Sequence, residues 1–219
     1  VRKAEGFRLA VLPVGPLQVN ACLVVHAATG EAAAVDPGDE GDRILLELSR
    51  LGGTLRHILL THGHFDHVGA VSFLKERTGA RIFLHPADRR LLEAAPRVAA
   101  SYGLHADAPP PPDADLSDGD LLPLGDGEIR VLHTPGHTPG GVTFLLGEEA
   151  FTGDLLFAGA VGRTDFPGGS TEALLASIRE KILPLPDETV VHPGHGPSTT
   201  VGRERRTNPF LAEGGGLLL

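Results

Sequence analysis

Four times along this chain a short apolar run ends in a turn where glycine directly precedes a histidine or an aspartate. The stretches are "HILLTHGH" (57–64), "IRVLHTPGH" (129–137), "EAFTGD" (149–154) and "TVVHPGH" (189–195). An apolar run bounded by turn residues reads as a buried strand. Glycine at its end permits positive φ and close backbone approach, which a sharp turn at a sheet edge often requires. The pattern therefore calls for a fold with several buried strands whose ends share one edge. In such a fold His62, His64, Asp66, His67, His137, Asp154 and His195 converge. Imidazole and carboxylate together suit zinc, iron or manganese, and this many donors suit two ions with one carboxylate between them. The plainer alternative, turn and capping residues without a metal, leaves the clustering of donors unexplained.

The remaining pattern supplies the scaffold. Strands are expected at 7–14, 20–27, 31–38, 55–60 and 80–86, then at 128–133, 141–146, 149–152 and 188–192. A helix capped by Asp42 should run through Leu51, with Ile44, Leu45, Leu48 and Leu51 on one face. Further helices are expected after the histidine-rich turn, closed by Gly79, and in "ADRRLLEAAPRVAASYG", bent at Pro96. A last long one, 171–183, is capped by Ser170 or Thr171 and buries Leu174, Leu175, Ile178 and Ile182. Two strand-rich halves, each with helices, predict two sheets packed face to face with helices outside. The segment "ADAPPPPDADLSDGD" (106–120) reads as a stiff surface connection, extended at Pro109 to Pro112.

Composition narrows the functional classes. With 219 residues, 41% hydrophobic and 21% charged, the chain is that of an ordinary globular protein. No apolar stretch approaches the ~20 residues that span a bilayer, and no secretory signal is read, so neither a membrane partner nor export is expected. Cys22 is the single cysteine, which excludes an intrachain disulfide and fits a reducing cytoplasm. The net charge of −9 argues against a nucleic-acid-binding face.

The stretch "THGHFDH" (61–67) resembles the T-H-x-H-x-D-H signature of the metallo-β-lactamase superfamily. "GPLQVNACLV", "DPGD", "TPGHTPGG", "FTGDLLF", "GRTDFPGGS" and "GHGPSTTVGRERRTNPFL" together resemble its short bacterial glyoxalase II-like hydrolases, over roughly residues 8 to 211. The resemblance implies an α+β fold, an αββα sandwich of two mixed β-sheets with helices on the outer faces. It implies one domain over residues 1–211, and residues 212–219 read as a disordered or vector-derived tail. It also implies that His62, His64 and His137 hold one metal, that Asp66, His67 and His195 hold the second, and that Asp154 bridges them. His67 and the lack of a late cysteine point away from the lactamases proper.

The implied activity is hydrolysis of a thioester of the hydroxyacylglutathione (lactoylglutathione) type by a metal-bound hydroxide. Its cofactors are two divalent ions, zinc first, with iron or manganese as alternatives. Asp66 is expected to serve as a ligand and to orient the nucleophile. No general acid stands beside the cluster, and a thiolate tolerates that, since a thiol of pKa ~8.5 leaves far more readily than an amine. Arg163, in "VGRTDF", is the candidate substrate contact, with an ordinary salt bridge as its plain alternative. The chain departs from glyoxalase II proper in lacking its C-terminal glutathione-gripping helices, and in having Pro197 and Arg163 where a tyrosine and a lysine are usual. The partner expected is therefore a small-molecule thioester or ester, and the sequence carries no signal for oligomeric state. The alternative activity is that of a mononuclear-iron persulfide dioxygenase using His62, His137 and Asp154.

Other polar residues read more plainly. His26, His57, His85 and His105 are surface or packing residues; His133 and His192 sit beside ligand loops, within reach of holding a ligand by hydrogen bonds. Asp36 either orients a ligand loop or makes its turn. Cys22 belongs to the core, and Arg203, Arg205 and Arg206 to the solvated face of a last helix.

Overall fold

The computed structural model describes residues 2–4 and 6–211; the tail expected at 212–219 lies outside them. The first sheet runs in sequence order: β1 (Arg2–Ala4), β2 (Phe7–Val14), β3 (Val19–His26), β4 (Glu31–Val35), β5 (Thr54–Leu59), β6 (Arg81–Leu84) and β7 (Ala114–Asp115). Its first four strands are antiparallel, joined by short turns, and β4 to β7 are parallel. Parallel neighbours need crossovers. These are α1 (Gly41–Arg50), then α2 (Phe65–Val68) with α3 (Val71–Thr78), then a 3-10 turn (Pro86–Asp88) leading into α4 (Arg89–Ser101).

The second sheet is built from β8 (Leu121–Leu124), β9 (Gly127–His133), β10 (Val142–Leu146), β11 (Glu149–Gly153), β14 (Val190–Pro193) and β15 (Thr199–Thr200), in the order β15-β14-β11-β10-β9-β8. Only β11 and β14 are parallel. A small ribbon, β12 (Leu156–Phe157) with β13 (Ala160–Val161), precedes α5 (Thr171–Ser177), and α6 (Val201–Thr207) follows β15.

Alternation along the strands sorts the side chains into three layers. In β3 every residue is buried: Ala21, Leu23 and Val25 face α1 and α3, while Cys22 and Val24 face the other sheet. The inter-sheet layer combines Leu9, Val35, Leu59 and Phe83 with Ile129, Val131, Phe144 and Phe151. Leu174, Ile178 and Ile182 close the outer face of the second sheet with Val191 and Val201. The order is helices, sheet, sheet, helices, as expected.

Three local expectations are corrected. Asp42 does not cap α1: the helix starts at Gly41, and Glu40 before it has φ +53° and makes no side-chain cap. The bend at Pro37–Glu40 sets the start, and Asp42 falls in the first turn, where its charge complements the helix dipole. The helix expected over 171–183 is α-helical only to Ser177, and Ile178–Ile182 forms a π turn that buries both isoleucines; Ser170 is its cap, accepting from the Ala173 amide at 3.2 Å. The surface connection at 106–120 is partly sheet, because Ala114–Asp115 pairs with β6. Helix α4 passes through Pro96 without interruption.

Candidate metal centre

Strand pairing decides where the donors meet. Strands β4 and β5 are parallel with Val35 opposite Leu59, so the residues that follow them emerge at the same edge. These are Asp36 and the loop Thr61–His64. In the second sheet β11 and β14 are parallel with Gly153 opposite Pro193, so Asp154 and His195 leave together. The turn between β9 and β10 carries His137. Backbone bonds join the two sheets at this edge, from Val142 to the Thr61 carbonyl at 2.8 Å and from Asn20 to the Gly194 carbonyl at 2.7 Å. Gly194 is required here, since a Cβ would overlap the Asp154 carboxylate and approach His67 Cε1 to 2.7 Å.

The result includes two triads, each with donor atoms within 4.8 Å of one another, His62, His64 and His137, and Asp66, His67 and His195; a third group, Asp36 with His62 and His67, joins them from behind. Asp154 lies between the two triads, with Oδ1 3.5 Å from His67 Nε2 and Oδ2 3.6 Å from His137 Nε2 and 3.8 Å from His195 Nε2. His64 Nδ1 is 3.0 Å from His137 Nε2. All seven sequence-predicted donors are thus brought together.

Hydrogen bonds behind the rings determine which nitrogen faces inward. Asp36, with φ +48° and its side chain buried, accepts from the Thr61 amide at 2.7 Å, the Thr61 hydroxyl at 2.6 Å and His67 Nδ1 at 3.0 Å. Because the Thr61 hydroxyl gives its proton to Asp36, it accepts from His62 Nδ1 at 3.0 Å. His137 Nδ1 donates to the Arg163 carbonyl at 2.7 Å and His195 Nδ1 to the Leu17 carbonyl at 3.0 Å. Each of these four imidazoles therefore donates from Nδ1 and points Nε2 into the cluster, where the neutral ring offers a lone pair, the arrangement metal-binding histidines adopt. His62 Nε2, His67 Nε2 and Asp154 Oδ1 are buried without a hydrogen-bond partner among the described residues. Orphaned buried polar atoms are costly. Their common direction into one donor cluster fits a bound cation.

The electrostatics follow from crowding. Burial, and then the neighbouring histidines His67 and His64, push His62 well below the usual imidazole range; burial and His137 bring His64 down to about 4. Both are neutral at pH 7, as ligation requires. Burial also disfavours charge on Asp66 and Asp154, yet the surrounding histidines together outweigh it, His67 and His195 at Asp66 and His67, His137 and His195 at Asp154, and both carboxyls lie low. His67 is shifted upward: burial opposes its charge, but Asp154, Asp66 and Asp36 surround it.

Arg163 stands at the mouth of the site. Its guanidinium is held by Asp165 at 2.7 and 2.6 Å and lies 4.1 Å from the Phe166 ring centroid, and that ring packs edge-on against His64. Asp36 is the orienting residue rather than a turn former alone. His133 Nε2 bonds the Pro139 carbonyl at 3.0 Å, behind the His137 turn. His192 is buried against Glu149 at 2.7 Å and bonds Ser198 at 3.0 Å. Sequence reasoning missed Thr61 as the relay between Asp36 and His62, and Phe166 as the wall beside His64. The first lay in plain view within "THGHFDH". Beside Asp66 opens a cavity of about 250 Å³ lined by Pro16, Leu17, Phe65 and Leu104.

A model of the metallo-β-lactamase superfamily matches residues 14–195. The chain belongs to this superfamily. It is 43% identical over 207 residues to the hydroxyacylglutathione hydrolase GloC of Haemophilus influenzae, covering 93% of this chain and 97% of the relative. Among solved structures, the B3 metallo-β-lactamase BLEG-1 superposes with a TM-score of 0.88 at 39% identity, covering 94% of this chain and 100% of that one. TTHA1623 in a di-iron-bound form does so with 0.85 at 48% identity, covering 92% and 100%. ETHE1 from Myxococcus xanthus gives 0.77 at 33% identity, covering 93% and 83%. As a metallo-β-lactamase superfamily protein the chain has the sandwich fold of a metallo-hydrolase, with histidine and aspartate groups able to hold divalent metal at the shared sheet edge.

Proposed function

We propose that the protein hydrolyses thioesters of the hydroxyacylglutathione type at a two-metal site. His62, His64 and His137 would hold one ion, Asp66, His67 and His195 the second, and Asp154 both. The observation that carries this is the set of inward-facing imidazole Nε2 atoms, with three buried donor atoms otherwise unpartnered. Zinc is the first choice, with iron and manganese also suited to these donors, and the bound ions would supply Lewis acidity and a water of lowered pKa.

The chain's own groups do the rest. Asp66, kept ionised by His67 and by the hydrogen bond from His195 against the effect of burial, orients the attacking water by accepting its proton in a hydrogen bond. The cavity beside Asp66 offers apolar walls for the acyl or thiol arm of a small substrate. Arg163, paired with Asp165 and backed by Phe166, is the candidate polar contact at the entrance. No general acid is needed where the leaving group is a thiolate. The likeness to GloC supports this substrate class. A core shared by both sheets supports reading residues 1–211 as one domain. No helix of the described residues is long and apolar enough to cross a membrane, and the lone, buried Cys22 supports a cytoplasmic protein.

The deciding experiment is a steady-state assay on lactoylglutathione with protein of measured metal content. Thioester cleavage that tracks two metals per chain is expected. Oxygen uptake on glutathione persulfide by protein holding one iron would mean a dioxygenase using His62, His137 and Asp154. Turnover of a β-lactam in preference to the thioester would overturn the substrate class.

A further inference from the structure

Asp88 ends the 3-10 turn before α4, where an aspartate side chain ordinarily accepts from its own helix's first amides. It makes no such bond. Its wholly buried carboxylate reaches instead to two other loops. Oδ2 accepts from the Gly63 amide at 3.1 Å and the Thr138 hydroxyl at 2.7 Å, and Oδ1 accepts from the Gly140 amide at 2.7 Å. Gly63 separates His62 from His64 on the loop that leaves the first sheet. Thr138 and Gly140 follow His137 on the turn that leaves the second.

Both backbone contacts depend on glycine. A Cβ at 63 would come 2.8 Å from the Asp88 carbonyl and 2.9 Å from Leu91 Cβ, and one at 140 would come 2.6 Å from Asp88 Oδ1. Among the described residues no lysine or arginine is paired with Asp88, so three directed hydrogen bonds offset the burial of its charge. Such a group is geometrically demanding, and it spans the two loops that carry the His62–His64–His137 triad. Asp88 bonds neither ring support of the other triad: Asp36, which also reaches His62 through Thr61, holds His67, and the Leu17 carbonyl holds His195.

We infer that Asp88 is a positioning residue that clamps the His62–His64 loop to the His137 turn and thereby sets the metal affinity of that triad, touching neither metal nor substrate. This rests on the two-metal reading above. The clamp accounts for how ligands from different sheets keep one geometry before metal arrives.

The test is zinc titration of chelator-stripped protein against a chromophoric competitor, with thermal melting of the metal-free protein in parallel. His137→Ala identifies which equivalent belongs to the first triad. Asp88→Asn, whose amide nitrogen cannot accept from an N–H, should weaken that equivalent about 10-fold or more while the other stays within about twofold. Thr138→Val, which removes one of the three contacts and should fold whatever Asp88→Asn does, should show a smaller loss confined to the same equivalent. Unchanged affinities in both variants, or equal weakening of both equivalents with a collapsed melting transition, would overturn the clamp. Wild-type protein that binds no zinc would sink the two-metal reading and the clamp with it. Wild-type protein that binds two ions, with variants indistinguishable from it, would sink the clamp alone.

Discussion

At the scale of single residues, the site is organised by groups that never need to touch a metal. Asp36 takes three hydrogen bonds and through them orients His67 directly and His62 by way of Thr61. Replacing it with alanine leaves the Thr61 hydroxyl and His67 Nδ1 without their acceptor, and frees both rings to turn. Metal affinity should fall about 10- to 100-fold, as such outer hydrogen-bond losses typically cause; competition titration checks this, and wild-type affinity would refute it. Arg163 contributes two separable things. Its carbonyl holds His137, which a side-chain substitution leaves intact, and its guanidinium meets the entrance. Arg163→Ala should therefore raise KM for an anionic thioester several-fold with kcat little changed. A fall in kcat at constant KM would show that the side chain acts on His137 instead.

At the scale of elements, parallel strand pairs do the gathering. β4 beside β5 brings Asp36 against the loop that carries His62 and His64, and β11 beside β14 sends Asp154 and His195 out of one edge. Carboxylates at the periphery tie helices to this frame. Asp113 accepts from Lys75 on α3 and from the Ile82 amide, both at 2.7 Å, and Asp118 accepts from Lys181 and the His133 amide, both at 2.8 Å. Hydrogen bonds from Lys75 and Lys181, the largest causes, hold these two carboxyls below the ordinary aspartate value. A folded-state pKa below the unfolded one stabilises above the unfolded value, near ~3.9, and the benefit vanishes as pH falls through the folded value. Partial exposure keeps the effect modest. The difference in Tm between wild type and the Asp113→Asn/Asp118→Asn variant should be present at pH 6 and close as pH drops below about 4. A difference that stays constant with pH would contradict the assignment.

At the scale of the whole molecule, one core lies between the sheets, and one cluster of histidines and aspartates able to hold metal lies across their shared edge. A cation held by His62, His64 and His137 would join first sheet to second, and Asp154 would add to that link. Binding to the folded state alone stabilises it, by about 2.7 kcal/mol per site at roughly 100-fold excess over Kd. Stripping the protein with a chelator should therefore lower Tm by roughly 5 to 10 °C for each ion removed, and zinc should restore it. A melting temperature indifferent to both treatments would argue that the cluster carries no metal.

The amino-acid sequence alone determined which residues are candidate donors, the strand character of the runs that carry them, and the two-layer sandwich. These are local properties: ligand chemistry resides in residue type, and alternation with glycine-bearing ends resides in neighbouring positions. Tertiary structure alone decided how the donors are aimed. Asp88 reaches Thr138, 50 positions away, and Asp36 reaches His67, 31 away, and no pattern near either aspartate distinguishes a clamp from a turn. The same holds for Arg163, whose pairing with Asp165 and carbonyl bond to His137 are set by how the 162–170 loop folds back on the edge. Hydrogen bonds depend on distance and angle to within a few tenths of an ångström, and only the packed sheets establish those.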